Sequence, residues 1–109
     1  AGHPRKYGTY PRKFRKYVIE DSVISIGRMI VASSGQVAQT FKIQDRGVIT
    51  EGAFADIVII NPVNIRDNAT FEKPEQFASG IDYVLVNGKI TIENSEYTGV
   101  LAGAILKGN

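Results

Sequence analysis

IDYVLVNGKITIE, residues 81–93, decides the fold class. Two apolar-rich runs flank Asn87-Gly88. Both central residues of a two-residue hairpin need positive φ, which asparagine and glycine tolerate. The spacing therefore predicts two antiparallel strands on either side of that turn. Upstream, ADIVII (55–60) is a near-continuous apolar run closed by Pro62. Such a run predicts a strand covered on both faces. Between the two lies a long connection carrying Pro62, Asn64, Asp67, Asn68, Pro74 and Gly80. A compact domain rarely keeps so long an irregular loop without a use for it. Downstream, TGVLAGAILKGN is small and apolar and predicts an irregular packed tail.

The first 44 residues have a different texture. Gly2, Pro4 and Gly8 predict a loop over residues 1 to 8. Thr9 then caps a helix from Tyr10 to Glu20, with Pro11 in its first turn. Tyr10, Phe14, Tyr17 and Val18 form one apolar stripe. A second helix follows Ser25 and runs to Ala32, and a short third one ends near Lys42. Helices first and a small antiparallel sheet afterwards make an α+β chain. Three or four strands are too few to close a sandwich or barrel. One sheet face lacks an evident cover.

Charge is unevenly spread. The net charge is +2. Residues 1–17 hold six Lys or Arg and no acid, whereas residues 18–109 hold seven basic and eleven acidic groups, giving −4. A general polyanion binder spreads positive charge over a face, and here only the head is basic. There is no cysteine, hence no disulfide and no thiolate chemistry. No run reaches the ~18 apolar residues of a membrane span and no secretory leader is visible, so the cytoplasm is the expected compartment and no membrane partner is expected.

Candidate chemistry is sparse. His3 is the one histidine, so a metal site has few ligands to draw on. No G-x-S-x-G turn offers a nucleophile, and no glycine-rich loop offers a phosphate cradle. Arg5, between Pro4 and Gly8, carries a planar fork suited to a carboxylate or phosphate. The other head cations, Lys6, Arg12, Lys13, Arg15 and Lys16, are expected on a solvated helix face. Their interleaving with Tyr7, Tyr10, Phe14 and Tyr17 also admits a self-contained nucleic-acid-binding module, tested by a steep salt slope. That alternative is disfavoured, because the aromatics are accounted for by the helix core.

The same stretches carry a resemblance. HPRKYGTYPRKF (3–14) is similar to the H-P-R-x-[YW]-G-T-[FY]-P-R motif of the N-acyl-D-amino-acid deacylases, in the amidohydrolase superfamily. RGVITEGAFADIVIINP (46–62), ATFEKPEQFASGIDYVLVNGKI (69–90) and TGVLAGAIL (98–106) resemble further motifs of that family, in order. The helical stretch ISIGRMIVASSGQVAQTFKI (24–43) departs from the pattern at Gly27, Arg28, Ser33 and Val37.

The resemblance implies that the chain is the C-terminal region of a zinc-dependent enzyme that hydrolyses N-acyl-D-amino acids. Residues 1–44 would be the last loop and helices of a TIM-type barrel, and residues 45–109 the C-terminal share of a small β-sandwich domain. The family's metal ligands and catalytic aspartate would lie upstream, so neither a catalytic group nor a metal ligand is assigned here. Zinc is expected in the full-length parent and none in this chain, which alone should be inactive. Arg5 would hold the substrate carboxylate, with His3 shaping the same pocket. The remaining partners are the rest of the parent chain and, through the uncovered sheet, a second copy of this one.

Overall fold

The structure, a computed structural model, describes residues 2–107. Among the described residues three helices, α1 (Arg5–Lys13), α2 (Ile26–Ser33) and α3 (Gly35–Thr40), precede four strands: β1 (Ile57–Ile60), β2 (Ile81–Val86), β3 (Lys89–Glu93) and β4 (Glu96–Tyr97). A π-helical stretch, Phe14–Glu20, continues α1. The chain divides into two units, residues 1–26 with 60–81 and residues 27–59 with 82–109. No helix among the described residues is long and apolar enough to cross a membrane.

In the first unit α1 starts five residues before the expected Tyr10. All four leading amides find acceptors outside the usual Ser/Thr/Asp/Asn caps. The Arg5 N–H donates to His3 Nδ1, Lys6 N–H to the His3 carbonyl, and Tyr7 and Gly8 N–H to the Pro4 carbonyl. Thr9 caps nothing, since its hydroxyl donates to the Arg5 carbonyl within the helix. Pro11 therefore lies inside the helix, where it removes one ladder bond. The winding loosens just after it. Asp21 N–H reaches back five residues to the Lys16 carbonyl, the π pattern that often follows a break in the ladder. The new phase moves the buried face to Gly8, Pro11 and Phe14, and leaves Tyr10 and Tyr17 exposed.

Residues 61–80 form a strap across this helix. Ile65 and Ala69 of the strap are buried, as is Phe14. Arg15 holds the strap: its Nε donates to the Ile65 carbonyl and its NH2 group to the Val63 carbonyl, each at 2.7 Å. Arg15 is thus not on a solvated face, as its neighbours in sequence led us to expect, but clamps backbone fifty residues away. An antiparallel bridge between Arg66 and Ser79 closes the strap on itself.

In the second unit Met29 of α2 and Ala38 of α3 are buried. The strand order is β1-β2-β3-β4. The Gly88 N–H bond to Ala55 and the Asn61 N–H bond to Gly80 tie opposite ends of β1 and β2, which therefore run antiparallel. The hairpin is as expected, with φ of 50° at Asn87 and 78° at Gly88. Val84 pairs with Ile92 and Leu85 with Ile90, so Thr91 is an extra residue on β3. Its hydroxyl donates to the Val84 carbonyl. β4 follows a second tight turn, Asn94-Ser95, again with both φ values positive. The expectation that β1 is covered on both faces is not met within this chain, because Val58 and Ile59 are about half exposed.

Arg46 organises the approach to β1. It stacks on Phe54 at 4.1 Å, pairs with Asp56 and donates to the Asn87 side chain at 2.6 Å. Burial pushes the Asp56 carboxyl up, but the Asn87 backbone N–H and the Arg46 guanidinium outweigh it and hold the group below the usual carboxylate range. A depressed folded-state pKa gives stability that is complete above the unfolded value of about 3.9 and is lost as pH falls through the folded value. Urea midpoints at pH 6 and pH 3 should therefore differ more for the wild type than for Asp56→Asn. Equal pH responses would remove the pair from the stability of this turn.

Candidate functional site

The first unit builds a cleft of about 610 Å³ between α1 and the strap. Gly8 brings the two walls close. A Cβ at this position would stand 2.8 Å from Cβ of Asp67, so any side chain here pushes the strap away. Arg12, itself exposed, reaches the largely covered Asp67 side chain at 3.6 Å, a long pair that contributes little by itself but fixes which way Asp67 is drawn. Two ring contacts complete the attachment. His3 meets Phe71 edge-on at 5.1 Å, and Tyr7 meets Phe77 at 5.6 Å.

His3 and Arg5 both line this cleft, beside Thr9 and Tyr17 from the helix side and Thr70 and Glu72 from the strap. The structure thus brings together the two residues expected to form a site. Their partners differ. The guanidiniums of Arg12 and Arg15 are engaged by Asp67 and by backbone carbonyls. Arg5 has no ion-pair or side-chain hydrogen-bond partner among the described residues. An exposed arginine at the wall of a cleft, with its five donors uncommitted, can take a carboxylate in a two-point contact.

Several cations of the basic head are engaged within the chain. Arg15 is spent on the strap, Lys16 pairs with Asp21 at 3.2 Å, and Lys6 and Lys13 lie 5.9 Å from the Tyr7 and Tyr10 rings. Phe14 is buried and unavailable for base stacking. Nothing here supports the nucleic-acid alternative. Sequence reasoning missed Asp67 and Phe71 as the opposite wall. The signal that could have found them was the unusual length of the connection, since long ordered loops so often line sites. No three His, Cys, Asp or Glu side chains among the described residues converge as a metal site would require.

The sequence profile of the amidohydrolase family matches residues 2–92. The D-aminoacylase of Alcaligenes xylosoxydans xylosoxydans is 36% identical over 104 residues, which is 95% of this chain and 22% of that protein. A solved D-aminoacylase studied for its binuclear metal centre superposes with a TM-score of 0.92 at 35% identity, over 96% of this chain and 22% of its own. N-acyl-D-glutamate deacylase from Bordetella bronchiseptica, solved with zinc and a phosphonate mimic of the tetrahedral intermediate, superposes with a TM-score of 0.80 at 34% identity. It matches 82% of this chain and 19% of its own. The chain thus spans about a fifth of the length of the relatives it matches.

Proposed function

This chain belongs to the amidohydrolase family, and from that premise we propose that it is the C-terminal region of an N-acyl-D-amino-acid deacylase, inactive alone. The observation that carries this reading is the superposition on a solved D-aminoacylase over 96% of this chain but only 22% of that one. Residues 1–44 would complete the parent's barrel and residues 45–109 its small β-sandwich domain. The half-exposed apolar side chains of β1, with Leu101 at 90% and Ile105 at 94% exposure, support an absent cover supplied by the rest of the parent chain.

The described residues do not fit the metal. No ligand set converges, and the one histidine already uses Nδ1 to accept the Arg5 amide. The zinc of the parent would therefore be held outside this chain, and no chemical step is assigned to residues here. The chain's own contribution is positional. Arg5 takes the free carboxylate of the substrate and fixes the direction of the Cα–N bond, so the scissile amide is presented in one orientation. The strap closes the other side of the cleft.

The full-length parent should release acid and free amine from N-acetyl-D-amino acids, and the isolated chain with added zinc should release none. Turnover by the chain itself would show that the catalytic groups lie within it. A correctly folded, zinc-loaded parent inert toward every N-acyl-D-amino acid would overturn the substrate class.

A further inference from the structure

His3 stands outside α1, two residues before Arg5, and supplies acceptors to the first two amides of the helix. Its Nδ1 takes the Arg5 N–H at 3.0 Å and its carbonyl takes the Lys6 N–H at 3.1 Å. A ring nitrogen that accepts carries no proton, so the hydrogen bond assigns the imidazole proton to Nε2. Pro4, at the N-cap position, makes no side-chain bond to the helix. His3 therefore does the work that serine, threonine or aspartate does at other helix starts. The ring is braced from the far wall, at 80° to Phe71 of the strap. The strap is itself clamped by Arg15. The backbone that carries Arg5 is thus tied on one side by His3, and through His3 to the opposite wall of the cleft.

We propose that His3 is a positioning residue: it caps α1 through Nδ1 and, leaning on Phe71, holds Arg5 in place to receive the substrate carboxylate without touching substrate itself. This rests on the reading that Arg5 binds that carboxylate. It predicts that the acceptor, rather than the imidazole as such, is what matters. Asparagine can accept from an amide two residues on. Phenylalanine keeps the ring contact and loses the acceptor.

The experiment uses the full-length parent with His3→Phe, His3→Asn, Arg5→Lys and the His3→Phe/Arg5→Lys double variant. Each is assayed on an N-acetyl-D-amino acid and on the corresponding N-acetyl-D-amino-acid amide, which lacks the carboxylate. His3→Phe should raise KM for the acid about tenfold with kcat changed less than about threefold, the size of effect a lost helix cap allows. It should lower kcat/KM far less for the amide substrate than for the acid, and add nothing once Arg5 is lysine. His3→Asn should keep near-wild-type KM for the acid. Equal losses on both substrates, full additivity with Arg5→Lys, or a tenfold KM rise in His3→Asn would each overturn the proposal, the last even if His3→Phe fails to fold. If Arg5→Lys alone leaves KM for the acid unchanged, the underlying reading falls as well; if Arg5→Lys raises it and His3→Phe does not, only the role of His3 falls.

Discussion

Gly80→Ala is expected to lower stability by more than about 3 kcal/mol, a large fraction of what a small domain has. Two effects combine. Gly80 has φ of +80°, in the left-handed region, where a Cβ costs roughly 1–2 kcal/mol. A Cβ there would also lie 2.3 Å from the Ile65 nitrogen, 2.4 Å from its Cα and 2.5 Å from the Asn64 carbonyl carbon. These are backbone atoms with no flexible end to yield. They are also held: Ile65 N–H donates to the Asn61 carbonyl at 2.9 Å, Asn61 N–H donates to the Gly80 carbonyl at 2.8 Å, and Ile65 is 3% exposed. Making room means moving the strap where Arg15 grips it and where Arg66 pairs with Ser79. Gly103→Ala is the matched control, because a Cβ there meets nothing within 4 Å. Urea unfolding of the two variants beside the wild type measures the difference. Indistinguishable midpoints would mean that the two ends of the strap do not meet this closely.

Arg5→Lys in the full-length parent is expected to reduce kcat/KM on N-acyl-D-amino acids by roughly 10- to 150-fold, the equivalent of one charge-assisted two-point contact worth about 1.5–3 kcal/mol. Lysine keeps the charge but not the fork, so one point of attachment remains and the substrate can pivot about it. Most of the loss should appear in KM, with a smaller fall in kcat from poorer presentation of the amide. Bound zinc should be unchanged, since no described residue of this segment belongs to a ligand cluster. Steady-state kinetics with metal analysis on the same samples test both halves. Kinetics equal to wild type would remove the carboxylate contact, and lost zinc would place Arg5 nearer the metal than proposed.

How legible these features were depends on the range of the forces behind them. The β2–β3 hairpin was readable because Asn87-Gly88 carries its turn chemistry within two residues. The second turn, Asn94-Ser95, adopts similar positive φ values without glycine, and β4 was not foreseen. The start of α1 was hidden for a related reason. Pro4 and Gly8 read as breakers, whereas Pro4 accepts the Tyr7 and Gly8 amides through its carbonyl and Gly8 serves the close approach of Asp67. A histidine cap is outside the usual vocabulary of helix starts, so the residue pattern points to a start five residues late and to a different buried face. Arg15 shows the limit most plainly. Its partners are carbonyls 48 and 50 residues away, and a carbonyl is present at every residue. No residue type marks such an acceptor, so only the folded chain reveals it. In the candidate cleft Arg5 stands out by its side-chain chemistry, and the role proposed for it comes from the run of family motifs rather than from spacing.

The two units are interleaved, and this bears on how such a cleft can be inherited. Its helix wall lies before residue 27 and its strap wall after residue 59, with a segment of the other unit between them. A single genetic crossover anywhere in 27–59 would join a helix from one ancestor to a strap from another. The glycine at 8 would then face whatever residue the second ancestor carries opposite it, and the clamp at 15 would grip a differently shaped turn. Productive exchange between lineages therefore favours paired breakpoints that move the middle segment alone, leaving both walls to descend together.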